Sequence, residues 1–427
     1  MMELKHDAAA QRAWLPPELL LQVADRLCSP ADMSVFSRVN RLLYGYLQPT
    51  LYRFNVEQQD CSALYWAIEH DVPETAKLCL GAGASVDYDH KRLCLYDSEA
   101  EYDEAFVGYR ISFGYHGNSG STPLHEASAR GSVKVMQVLV DHGAEIERED
   151  SAGQSPLILA SALGKEEAVA FLLDKGAHIQ AEGPRHHSPL HSATCGGSTS
   201  TVRLLLDRGA NPNWPSQYGH TPLYKAISYK HYEAAALLIK HGADIEATAS
   251  ARLTPLRHAI DRNSSEMVSM LLAAGAEVNG IPTTRPLHEA VRRQNFSIVE
   301  ALLEHGADVN GADEYSRMPI RAAVVAGDVK MIDLLVKHGA ALGTRTSRPG
   351  RKAELLFTAV QCGKLEVIER LIEHGLDPCE RNIYGQSAYE YADDRGMVDV
   401  AQRLRQYSGL SSKLAYRALF SRQRDKN

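Results

Sequence analysis

Apolar residues along most of this chain recur in short bursts at i, i+3 and i+4, separated by polar turns, which is the period of helices with one buried face. Met136, Leu139 and Val140 form one such triplet, and Val202/Leu205/Leu206, Val268/Leu271/Leu272, Val299/Leu302/Leu303 and Ile368/Leu371/Ile372 repeat it. A stripe so narrow cannot bury itself, so stacking against further copies of the same element is the expected way to cover it. The pattern predicts an all-α protein.

Two landmarks mark the repeat. Pro123, Pro156, Pro189, Pro222 and Pro255 are spaced 33 residues apart, and Pro286 and Pro319 continue the series after a two-residue deletion. A glycine follows each proline by 20 residues, at Gly143, Gly176, Gly209, Gly242, Gly275, Gly306 and Gly339. The same offset relates Ala63 to Gly83 and Leu355 to Gly375, while Ala388 opens a last copy whose glycine has slipped to Gly409, giving ten units. Within one unit, Thr122 is placed to cap a helix and Pro123 to occupy its first turn, where a missing N–H costs nothing. Gly131 supplies a left-handed C-cap, and a second helix follows up to Gly143.

The opening Arg285-Pro286-Leu287-His288-Glu289-Ala290 and the closing Gly306-Ala307-Asp308-Val309-Asn310 resemble the T-P-L-H-x-A and G-A-D-V-N signatures of the ankyrin repeat. The resemblance covers about residues 60 to 408 and implies an ankyrin-repeat solenoid of helix-turn-helix units with hairpin loops. Between Gly83 and Pro123 the landmarks imply roughly 27 extra residues. This inserted loop near 89–118 is acidic and carries Tyr96 and Tyr102.

Before the repeats, Leu15-Pro16-Pro17-Glu18-Leu19 starts a helix in which Leu19, Val23 and Leu27 recur every four residues. Ser29 and Pro30 restart the chain into a second helix with Met33, Phe36 and Val39, and a third stretch runs through Leu43, Leu47 and Leu51. Three short helices bury little core of their own, which predicts docking. The spacing over residues 14–54 resembles an F-box, with Tyr44 where many members carry tryptophan. That resemblance implies binding of a Skp-type adaptor and cullin of a ubiquitin ligase through Leu15, Pro16, Leu19, Val23, Leu27, Met33, Phe36 and Val39. The alternative is a helical cap that buries Leu15, Leu19 and Phe36 on the first repeat. Residues 409–427 form a basic tail containing Lys413, Arg417, Arg422, Arg424 and Lys426.

Charge narrows the choice of partner. With 46 Lys plus Arg against 53 Asp plus Glu the net charge is −7, the wrong overall sign for a dedicated nucleic-acid binder. Seven scattered cysteines without a C-x-x-C pair indicate neither a disulfide framework nor a zinc ribbon, and fit a reducing compartment. The N-terminal residues lead into Ala, Gln and Arg rather than an apolar signal region, and no run approaches the ~18 apolar residues of a membrane span. A soluble chain of the cytoplasm, the nucleus or both is expected.

Candidate chemistry is sparse. The sequence contains no glycine-rich phosphate loop, serine elbow or H-E-x-x-H, so a non-catalytic protein without cofactor is expected. His187, His191 and Cys195, spaced four apart, have the spacing of metal ligands on one helical face. The repeat register assigns them otherwise, placing His187 in a hairpin and His191 in the opening motif, where it serves a backbone hydrogen bond.

The ankyrin resemblance implies partner binding through hairpin tips and the inner, first-helix face. By register that face contains Arg130, Arg185, Arg262, Arg292, Arg293, Arg317, Arg351 and Arg395, against only Asp261, Glu314 and Asp394 as acids. Tyr218, Tyr229, Tyr315 and Tyr384 are interleaved, with Trp214 near a tip, while Glu149, Asp150 and Asp313 flank the tips as counter-charge. Arg and Tyr give much of the energy at protein interfaces. The expected substrate is therefore an acidic protein or peptide, held by Arg130, Arg185, Tyr218, Tyr229, Arg262, Arg292, Arg293, Tyr315 and Arg317.

Overall fold

The computed structural model describes residues 56, 61–87, 120–249, 253–281, 285–343 and 354–408. The segments 14–54, 89–118 and 409–427, each given a role above, lie outside the described residues. Among the described residues regular structure is entirely helical, with twenty α-helices and one short 3-10 turn. They fall into two compact units, one ending at Ala243 and the other starting at Asp244.

The first unit contains five helix pairs: α1 (Ser62–Glu69) with α2 (Pro73–Gly81), α3 (Pro123–Arg130) with α4 (Val133–Asp141), α5 (Pro156–Ala162) with α6 (Glu166–Asp174), α7 (Pro189–Gly196) with α8 (Thr199–Asp207), and α9 (Pro222–Tyr229) with α10 (Tyr232–Lys240). The second unit contains five more: α11 (Pro255–Asp261) with α12 (Ser265–Ala273), α13 (Pro286–Arg292) with α14 (Phe296–Glu304), α15 (Pro319–Ala326) with α16 (Val329–Lys337), α17 (Glu354–Gln361) with α18 (Leu365–Glu373), and α19 (Ala388–Asp393) with α20 (Val398–Ser408).

Local chemistry explains where these helices start. Proline occupies the first turn of α3, α5, α7, α9, α11, α13 and α15. The residue before it caps: Ser155, Ser188, Thr221 and Thr254 each accept a hydrogen bond from the backbone N–H three residues on. Second helices are capped in the same way by Ser198, Asn295 and Asp328.

Packing follows the apolar stripes. Leu139, Leu205, Leu271 and Leu302 are fully buried, and each side chain so covered contributes about 2 kcal/mol. Val140, grouped with them by spacing, is only half-buried, and Val135 and Val138 are buried on α4 instead. Every residue of α5 is buried because α3 and α7 pack on either side of it, which accounts for its uncharged sequence, PLILASA. The approach of α7 to α5 is close enough to require glycine: a Cβ at Gly196 would lie 2.1 Å from the Ala162 carbonyl oxygen.

Polar ties set the register between repeats. Ser188 N–H donates to His191 Nδ1 at 3.2 Å, which leaves the proton on Nε2, and Nε2–H donates to the His220 carbonyl at 2.9 Å. His125 makes the equivalent bond to the Gln154 carbonyl at 3.0 Å. Asn310 bridges hairpins in the second unit, its Nδ2 donating to the Gly339 carbonyl at 3.0 Å and its Oδ1 accepting from Ala341 N–H at 2.7 Å. The pair α1/α2 joins the first unit despite the long stretch of chain before α3, because the Ser132 hydroxyl donates to the Ile68 carbonyl and Asp71 Oδ1 accepts from Val135 N–H.

Helix propensity alone predicts that Gly196→Ala stabilises α7 by about 1 kcal/mol. The Ala162 carbonyl reverses the sign, and we expect a loss of about 2–3 kcal/mol in urea unfolding of the full chain. A neutral or stabilising outcome would show that the two helices can separate freely.

Candidate functional site

In the second unit a hairpin turn presents exposed side chains over a first helix. Asp313 builds the turn: its Oδ1 accepts from Tyr315 N–H at 2.9 Å and Arg317 N–H at 2.8 Å. Asp150 caps its own hairpin in the same way, accepting from Ala152 and Gln154 N–H groups, and is buried. The turns at Asp150, Ser216 and Asn382 place a glycine of positive φ three residues on, at Gly153, Gly219 and Gly385, whereas the Asp313 turn puts Ser316 there at φ 61°. A side chain in that conformation is strained by about 1 kcal/mol.

This hairpin is anchored to α13. His288 Nε2–H donates to the Arg317 carbonyl at 2.7 Å, and Arg285 Nε–H donates to the Ala312 carbonyl at 2.7 Å. Arg285 stands where other repeats place a hydroxyl cap, so its side chain is available to reach the hairpin. The turn thereby holds Tyr315, 67% exposed, with the Arg317 guanidinium 4.5 Å from its ring centre. Arg317 also pairs with Asp313 at 2.9 Å. Burial works against the Asp313 charge, but hydrogen bonds from Arg317 and Tyr315 outweigh it and hold the carboxyl below its ordinary range.

Beneath the turn lies a carboxylate with three arginines. Glu289 pairs with Arg292 at 2.6 Å, Arg293 at 2.7 Å and Arg257 at 3.1 Å, and Asp261 holds Arg257 at 3.2 Å and Arg293 at 3.1 Å. Burial opposes ionisation of Glu289, yet the Arg292 hydrogen bond and the three guanidinium charges hold its pKa below the ordinary value. An open cleft of about 540 Å³ runs between this network and the hairpin, with Arg292, Tyr315, Arg317, Arg321 and Val325 on its wall.

The residues expected to bind substrate separate into three settings. Arg130 is engaged by Glu126 at 2.5 Å and Glu69 at 3.5 Å, so its charge is satisfied within the first unit. Arg185, Tyr218 and Tyr229 are exposed in the first unit, while Arg292, Tyr315 and Arg317 meet at the cleft of the second, Arg293 is held by Glu289 and Asp261 beside it, and Arg262 is exposed at the end of α11. Arg351 lies outside the described residues, as do all eight positions expected to bind an adaptor, Leu15, Pro16, Leu19, Val23, Leu27, Met33, Phe36 and Val39.

Register reasoning missed Glu289, the acid at the centre of the cluster, and its partner Arg257. The signal was present in the spacing, since Glu289 stands three and four residues before Arg292 and Arg293 on one helix. As to metal, no group of three or more His, Cys, Asp or Glu suited to an ion occurs among the described residues. His187 and His191 stack with ring centres 5.2 Å apart, and His191 directs both ring nitrogens to backbone partners. Burial comes first among the causes that push His187 to about 3 and His191 to about 4, and the Lys225 charge adds to both. No helix among the described residues is long and apolar enough to cross a membrane.

A family model described as ankyrin repeats (3 copies) matches residues 93–183, 179–249 and 256–346, more than half of the 427-residue chain. No curated protein matches it. Among solved structures the chain is similar to the crystal structure of the human ASB11 ankyrin repeat domain, with 26% identity, 51% of this chain and 98% of that one covered, and a TM-score of 0.45.

Glu289→Gln is expected to destabilise the second unit by about 2 kcal/mol at neutral pH, discounted from the buried-pair range because Arg292 and Arg293 are partly exposed. A depressed carboxyl contributes fully above its unfolded pKa and loses that contribution as pH falls through the folded value. The gap between wild type and variant should therefore close in acid, and a gap independent of pH in thermal melts would rule out an ionic origin. Ser316→Gly is expected to relieve strain and raise stability by about 1 kcal/mol. Unchanged urea unfolding would show that the turn carries none.

Proposed function

The chain belongs to the ankyrin-repeat family, and on that footing we propose that it is a receptor that captures an acidic segment of a protein substrate. A role in protein–protein interaction follows from the repeats. The observation that carries the choice of an acidic partner is how the ion pairs at the cleft are layered. Arg292 is 71% exposed while its counter-ion Glu289 is 5% exposed, and Arg317 is 51% exposed over Asp313 at 16%. Each pair is neutral, but the cation faces outward with donors to spare, and the aromatic face of Tyr315 stands beside it. Although exposed Glu314 also lines the cleft, an incoming carboxylate or phosphate meets the Arg292 and Arg317 guanidinium groups before the acids beneath them.

The N-terminal segment gives the receptor its destination. In this proposal residues 14–54 act as an F-box-like module that binds a Skp-type adaptor and cullin, residues 60–408 form the capture surface, and residues 409–427 are a basic tail. The support is the Leu15-Pro16-Pro17-Glu18-Leu19 opening and the spacing of Val23, Leu27, Met33, Phe36 and Val39. The protein would position a substrate for ubiquitin transfer without catalysing the transfer.

Co-purification of the full chain with a Skp-type adaptor and cullin tests the link, beside a Leu15→Ala/Pro16→Ala variant checked for folding by circular dichroism. The proposal expects capture by the wild type and its loss in the folded variant. No capture by the wild type would make the protein a ligase-independent scaffold with a helical cap. For the cleft, Arg317→Glu together with Tyr315→Ala should weaken captured acidic partners at least tenfold, and undiminished capture would move the binding surface elsewhere.

A further inference from the structure

The first unit carries a second cationic centre built differently from the first. Three residues after the helix-opening proline, two repeats place a glutamate, Glu126 paired with Arg130 and Glu289 paired with three arginines. At the same position in α9 the chain places Lys225. No ion pair among the described residues reaches Lys225 or Arg185. Glu182, three residues before Arg185, is engaged by His186 at 2.8 Å.

The segments around Lys225 are tied to one another. Arg185 sits in the 3-10 turn Pro184–His186, where both Arg185 and His186 adopt left-handed backbone, φ 58° and 57°. Two successive non-glycine residues in that region carry a cost, and such strain gathers at functional sites. The Arg185 carbonyl accepts from Gln217 N–H at 2.9 Å, tying the strained turn to the hairpin that carries Tyr218 and His220. His220 lies parallel on Tyr224 with ring centres 4.2 Å apart, and its Nδ1 is buried without a hydrogen-bond partner. Tyr229, one helical turn after Lys225 on the same face of α9, is 43% exposed, and Tyr218 is 53% exposed.

Electrostatics ties the cluster together. Burial lowers the Lys225 ammonium from its ordinary value, Cys195 opposes this, and the Arg185 charge adds to it. Burial also lowers His220, with the Lys225 charge acting in the same direction. A half-buried ammonium that no carboxylate among the described residues pairs with bears a desolvation cost that an incoming anion would offset.

We infer that Lys225, Arg185 and His220 form an anion site for a phosphorylated side chain of a bound peptide, with Tyr218 and Tyr229 flanking it. This rests on the reading of the protein as a receptor for acidic segments, and it adds a site in the first unit apart from the cleft of the second. A phosphate monoester fits better than a carboxylate because it brings close to two negative charges and three acceptor oxygens to three separate donors.

The test is a titration of the full chain, labelled with ¹³C in its histidine rings, followed through the His220 ring signal. The probes are N-acetyl-O-phosphoserine amide, N-acetyl-O-phosphotyrosine amide and N-acetylglutamate amide, with wild type compared with Lys225→Gln and Lys225→Arg. A saturable shift with either phosphorylated probe is expected, weakened at least tenfold by Lys225→Gln and largely restored by Lys225→Arg, whose retained charge also controls for folding. Arg317→Glu, in the second unit, should leave this titration unchanged. The assignment is overturned if neither phosphorylated probe saturates, if Lys225→Gln binds as wild type does, or if the glutamate probe binds as tightly as the phosphorylated ones. Loss of this site with acidic capture at the second-unit cleft intact would leave the receptor reading standing, so the two fail separately.

Discussion

A helix of eight or nine residues with a single apolar stripe has nothing of its own to cover that stripe, and everything else in this structure follows from the need for a neighbour. Isolated helices of this length are unstable in water. Stacked, they become the fully buried leucines of α4, α8, α12 and α14 and the wholly buried α5. The repeat is the smallest sequence device that supplies a matching surface at every step. Glycine at 196 is part of that device, since the helix backbones of α5 and α7 touch there.

Stacking by apolar contact alone would tolerate slippage, and directional bonds prevent it. The opening histidines reach backbone carbonyls in the following hairpin, and Asn213 and Asn310 donate to the carbonyl of the next repeat's closing glycine. These residues look like catalytic or metal chemistry when counted, yet His125 and His191 commit both ring nitrogens to backbone and His288 commits Nε2. Bonds of this kind also give the hairpins a rigid base. Tyr315 and Arg317 stand where they do because His288 and Arg285 hold the hairpin from α13.

One register position shows how a repeat becomes a binding surface. A glutamate three residues after the proline gathers arginines around a buried negative charge and turns their remaining donors outward, as at Glu289. A lysine in that position leaves a cation that no carboxylate among the described residues pairs with, as at Lys225. Both stand three residues after the proline that opens a first helix. The difference lies in which side chain occupies the slot and which charges its neighbours bring.

Much of this could be read from the chain itself. The 33-residue spacing of prolines, the glycine 20 residues on and the i, i+3, i+4 triplets determine helix pairs, their caps and their stacking, because each depends on contacts within one repeat or with its identical neighbour. The histidines at the opening slot were likewise assigned to backbone by register alone. Charge was harder to read. The projected arginine face counted Asp261, Glu314 and Asp394 but passed over Glu289, whose influence comes from burial and from Arg257 on a different helix, 32 residues earlier. Nor does spacing tell that Arg130 is spent on Glu69, that Ser316 bears a left-handed backbone, or that Lys225 has no ion pair among the described residues. Local pattern determines elements because its forces act within a few residues. Whether a charge is offered to a partner depends on groups distant in sequence and on their access to water, and only the packed tertiary structure decides both.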